Sequence, residues 1–90
     1  MKIEILRPIG HTEYNGEYTF SKGTYNVMLW KDHVLYEREK LYSIERNVPK
    51  NTLAIVKPDP RGPQHGDGSF MTYEEFRLFL KMGAIKVISE

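Results

Sequence analysis

The C-terminal stretch MTYEEFRLFLKMGAIKVI, Met71 to Ile88, leaves little freedom. Thr72 is placed as a helix N-cap, and Glu75, three residues on, completes a capping box. Met71 and Phe76 have the spacing of a hydrophobic staple across that cap. Glu74 and Glu75 suit the positive end of the helix dipole and Lys81 the negative end. Gly83 ends the helix, and Ala84 to Ile88 reads as a closing strand tied tightly to it. Tyr73, Phe76, Phe79 and Leu80 make a broad apolar face, which Leu78 and Met82 widen. A short helix this apolar packs on more than one side or meets a partner. A chain of 90 residues forms one domain, so this helix must share a single small core with everything before it.

What comes before is mostly β. Lys2 to Arg7 alternates, with Ile3 and Ile5 against Lys2 and Glu4, until Pro8 and Gly10 stop it. Asn15-Gly16 between runs rich in Tyr, Thr and Phe is a hairpin signal of the type I′ kind, which would set Tyr14 opposite Glu17. Tyr18 and Phe20 would share one face of the second strand. Ser21 to Thr24 turns the chain, and Thr24 to Trp30 suits a strand buried on both faces. The first third therefore reads as a β-meander. The segment from Lys31 to Lys50 admits two readings. Leu41, Ile44 and Val48 lie at helical spacing, Asp32 offers a cap, and Arg46, Asn47 and Pro49 stop a helix over Glu37 to Arg46. In the alternative, VMLW and VLYE pair as a hairpin across Lys31-Asp32-His33. Asn51 to Lys57 is a short strand. These elements make an α+β domain, residues 1–90, with a small, mainly antiparallel sheet, one or two short helices and a C-terminal helix–strand unit.

The stretch PDPRGPQHGDGSF, Pro58 to Phe70, reads as a flexible Pro/Gly loop. A compact domain rarely keeps so long a loop without a use for it. Asp59, His65 and Asp67 carry metal-ligating groups, but their spacing matches no strong pattern, and no metal or other cofactor is expected. Arg61 and the glycines Gly62, Gly66 and Gly68 could cradle a small anion, such as a nucleotide, beside a helix N-terminus. Against this, Thr72 already caps that end, its first turn is acidic, and no phosphate-binding glycine motif is present. The plain reading is a polar tether; the functional one is contact with another molecule through Arg61 and His65.

Composition narrows the classes. With 13 Lys and Arg against 12 Asp and Glu, the net charge is +1, which favours neither a DNA-wrapping protein nor an acidic mimic. Arg46, Lys50, Lys57 and Arg61, with six tyrosines in the chain, keep single-strand nucleic-acid binding open as a second reading. The absence of cysteine excludes disulfides, thiolate metal sites and cysteine catalysis, and points to a reducing cytoplasmic interior. Glu4 and Arg7 break the first apolar run, so it reads as neither a signal peptide nor a membrane span. His11, His33 and His65 lie far apart and read as surface or turn residues. Glu37 and Glu39, and Glu74 and Glu75, are solvated faces and cap chemistry rather than an acid–base dyad. With no catalytic motif, the chain reads as a non-enzymatic binding module. Tyr, Trp and Arg anchor interfaces, so Trp30, Tyr36, Arg38, Tyr42, Arg46, Arg61 and His65 are the candidate partner contacts.

Three pieces, KIEILRPI, GTYNV and TYEEFRLFLKMGAIKVI, together resemble small SH3-like accessory proteins of tailed bacteriophages. The likeness covers about half the chain and leaves residues 28–70 as an insertion-like middle segment. It implies an SH3-like barrel and a viral protein that binds and inhibits a host protein or defence system in the host cytoplasm. It carries over no functional residue.

Overall fold

The computed structural model describes residues 1–13, 16–34 and 51–90. Seven strands and one α-helix are seen there: β1 (Lys2–Ile5), β2 (Ile9–Glu13), β3 (Gly16–Phe20), β4 (Gly23–Leu29), β5 (Thr52–Val56), β6 (Gly68–Thr72), α1 (Tyr73–Lys81) and β7 (Ile85–Ser89). Single 3₁₀ turns occupy Trp30–Asp32 and Pro63–His65. Five strands form an antiparallel sheet in the order β6-β5-β4-β1-β7, and β2 and β3 pair separately. The domain is α+β with mainly sheet. Among the described residues the sheet is open, with β6 and β7 at its edges, so the barrel closure implied by the resemblance is not seen.

The N-terminal region is not a meander. The direct neighbour of β1 is β4, with Ile3 opposite Tyr25, and the β2–β3 hairpin is an excursion between them. The register of that hairpin also differs from expectation: Thr12, not Tyr14, lies opposite Glu17. This register sets Ile9 opposite Phe20, and both side chains enter the core; the expected one would have matched Phe20 with His11. The two registers differ by two residues, so each keeps Ile9 and Phe20 on one face; the observed one places these two apolar residues directly opposite each other.

The main core lies between the sheet and the helix. Ile3 and Ile5 of β1, Tyr25 and Val27 of β4, Leu53 and Ile55 of β5, Met71 of β6 and Ile85 of β7 line one face. Phe76, Phe79 and Leu80 of α1 pack on it, together with Ile9 and Phe20. Phe20 meets Tyr25 edge-on, with ring centroids 5.9 Å apart, an arrangement that suits the ring quadrupoles. In β4, Tyr25 and Val27 are buried on the helix side, while Asn26 and Met28 on the other face are only half-buried; Met28 packs against a second, smaller cluster, so that face is covered in part. The strand buried on both faces is β5, all five of whose residues are buried. β5 lies between β4 and β6, where both faces of the sheet are covered. Met28 and Leu29 pair with Ala54 and Leu53 of β5; of the alternative hairpin partner VLYE, Leu35 to Glu37 lie outside the described residues. The helix expected over residues 37–46 lies outside the described residues.

The C-terminal unit forms as its sequence dictates. Thr72 Oγ1 accepts from the Glu75 N–H at 3.1 Å, and Glu75 Oε1 accepts from the Thr72 N–H at 3.0 Å. Met71 and Phe76 are buried in one cluster across this cap. At the other end Gly83 has φ 75°, which any side chain would strain. Its N–H donates to the Leu80 carbonyl and that of Ala84 to the Phe79 carbonyl, the paired bonds of a Schellman cap. The Arg7 guanidinium donates to the Met82 carbonyl at 3.2 Å, a cation at the negative end of the dipole. No helix among the described residues is long and apolar enough to cross a membrane.

Candidate functional site

The connection from β5 to β6, residues 57–67, is the most elaborate loop described. Gly68, Ser69 and Phe70, which end the expected loop, instead open β6 and pair with Val56, Ile55 and Ala54. The loop begins as a continuation of that pairing, with the Lys57 N–H donating to the Asp67 carbonyl at 2.7 Å. Two glycines let the chain come this close. A Cβ on Gly66 would collide with the Lys57 carbonyl oxygen, and one on Gly68 with that of Ile55. Both obstacles are backbone, so neither can swing aside.

The loop lies over the second, smaller core. Trp30, Ala54, Val56 and Phe70 form this cluster on the sheet face opposite the helix, with Met28 packed against it. Trp30 is only 4% exposed; its ring lies 4.9 Å from that of Phe70 and stacks on His33 at 5.8 Å and 14°. His33, which closes the Trp30–Asp32 turn, is itself 1% exposed, so of its reading as a surface or turn histidine only the turn holds. Its Nε2 lies 3.0 Å from the Gly66 carbonyl. A carbonyl only accepts, so Nε2 carries the proton and donates. This bond satisfies a buried carbonyl and pins the base of the loop to the end of the Trp30–Asp32 turn.

The tip of the loop is braced by charge. The Arg61 N–H donates to Asp59 Oδ1 at 2.8 Å, Nε donates to the same oxygen at 3.1 Å, and Nη2 donates to Oδ2 at 3.2 Å. Nη2 also reaches the His65 carbonyl at 3.4 Å. Gly62 and His65 add backbone bonds to the carbonyls of Asp59 and Gly62. The side-chain bonds from Arg61, and then its backbone N–H, hold the Asp59 carboxyl below the usual carboxylate range; Asp59 in turn raises the Arg61 guanidinium. Three of the five guanidinium donors are thus spent inside the loop. The Arg61 side chain remains 69% exposed.

The candidate contacts therefore separate. Arg61 and His65 are brought together in one turn. Trp30 is a core residue beneath the loop, so its indole is a packing surface. Tyr36, Arg38, Tyr42 and Arg46 lie outside the described residues. Among the described residues, no three His, Asp or Glu side chains gather as a metal site, and Asp59 is engaged by Arg61. What sequence reasoning missed is the bond between His33 and Gly66, 33 positions apart. A lone histidine after a strand gives no signal of such a partner. Compared with protein-family models, with curated proteins and with solved structures, the chain matches none.

Proposed function

We propose that this protein is a non-enzymatic binding module that acts by occupying another protein, with the middle segment 28–70 carrying the interface. The observation that supports it is the braced loop. Its base is fastened by His33 and by close glycine contacts, and its tip by the Asp59–Arg61 pair. A loop already held in one shape loses less conformational freedom on binding, so more of its contact energy appears as affinity. Arg61 and His65 are its contact residues. If the resemblance to phage accessory proteins reflects descent, the partner is a host enzyme or defence component in the bacterial cytoplasm.

The charge of the loop favours a protein over a polyanion. Arg61 is paired with Asp59 and feels Asp67 as well, so its cation is largely spent locally. Phosphate contacts need free cations. An anion at the start of α1 is disfavoured too, because the Thr72 hydroxyl and the Glu75 carboxylate fill that cap. The test is affinity capture from bacterial lysate with the tagged wild-type chain and an Arg61→Ala/His65→Ala double variant. One stoichiometric partner, held by the wild type and lost by the variant, is expected. Recovery of the bait alone at high purity, or equal capture by both, overturns the proposal. Labelled oligonucleotides at low salt provide the contrast, and no binding is expected.

A further inference from the structure

We draw no further inference here: the strongest candidate, the outer edge of β7 with its exposed Val87 and Ile88, has no partner among the described residues, and nothing in the structure shows what covers it.

Discussion

The two faces of the sheet are covered by different means. On one side lies a helix whose apolar residues interlock with alternating side chains from β1, β4, β5, β6 and β7. On the other, a 3₁₀ turn and a loop cover the β5–β6 part, using Trp30, His33 and backbone that approaches closely at Gly66 and Gly68. The first face is held by buried area, which tolerates shape-conserving change. The second depends on specific hydrogen bonds and on the absence of side chains at two positions. The same sheet thus has a forgiving face and an exacting one, and the proposed contact loop stands over the exacting one.

The largest effect is expected on the helix side. Phe76→Ala removes a nearly fully buried ring from the main core, and should cost about 3–5 kcal/mol in urea denaturation. A cost near 1 kcal/mol would mean that α1 is a weak cover and the contrast between the faces is misdrawn.

Next comes Gly68→Ala. The added methyl meets the Ile55 carbonyl, so strands β5 and β6 must part locally, at about 3 kcal/mol. Amide shift changes should concentrate around 55–57 and 66–69, with Trp30 fluorescence altered and the α1 resonances little moved. A neutral Gly68→Ala would remove the close approach as a determinant of this face.

His33 separates stacking from hydrogen bonding. His33→Phe keeps a ring beside Trp30 but leaves the Gly66 carbonyl buried without its donor, at an expected cost of about 1–3 kcal/mol. If His33→Phe is as stable as the wild type by thermal denaturation, stacking alone holds the base of the loop. Thr72→Ala, on the cap of α1, should cost about 1 kcal/mol by the same measurement, a smaller and purely local loss.

The smallest effect concerns the tip. The folded-state pKa of Asp59 is lowered, so the stabilisation it brings is present above its ordinary value and is lost as pH falls through the lowered one. The protection of the Arg61 and Gly62 amides from exchange, relative to their intrinsic rates, should therefore fall below about pH 4, before that of β5. Asp59→Asn should show the lower protection already at neutral pH. Unchanged exchange in that variant would show that the 3₁₀ turn, not the ion pair, shapes the tip.

Much of the fold was legible because its signals are local. The capping box at Thr72 and Glu75, the staple of Met71 with Phe76 and the turn at Gly83 each need only neighbours within a few residues. The alternation of Ile3 and Ile5 likewise announced a buried face. The partner of each strand was not legible. β1 lies beside β4 because Tyr25 and Val27 complete the same apolar face as Ile3 and Ile5. Nor was the hairpin register legible: it sets Ile9 directly opposite Phe20, where the Asn15-Gly16 turn signal pointed to His11.

For the candidate site the division is sharper. The sequence by itself marked Pro58 to Phe70 as unusual and singled out Arg61 and His65, because Pro, Gly and isolated polar residues stand out locally. It could not mark His33, whose role exists only once Gly66 is brought to it across the sheet. Nor could it tell that Trp30 faces inward or that β5 is the strand buried along its whole length on both sides. Hydrogen bonds within a turn are encoded by adjacent residues. Burial and long-range bonds depend on what the rest of the chain places nearby, and only the tertiary structure decides that.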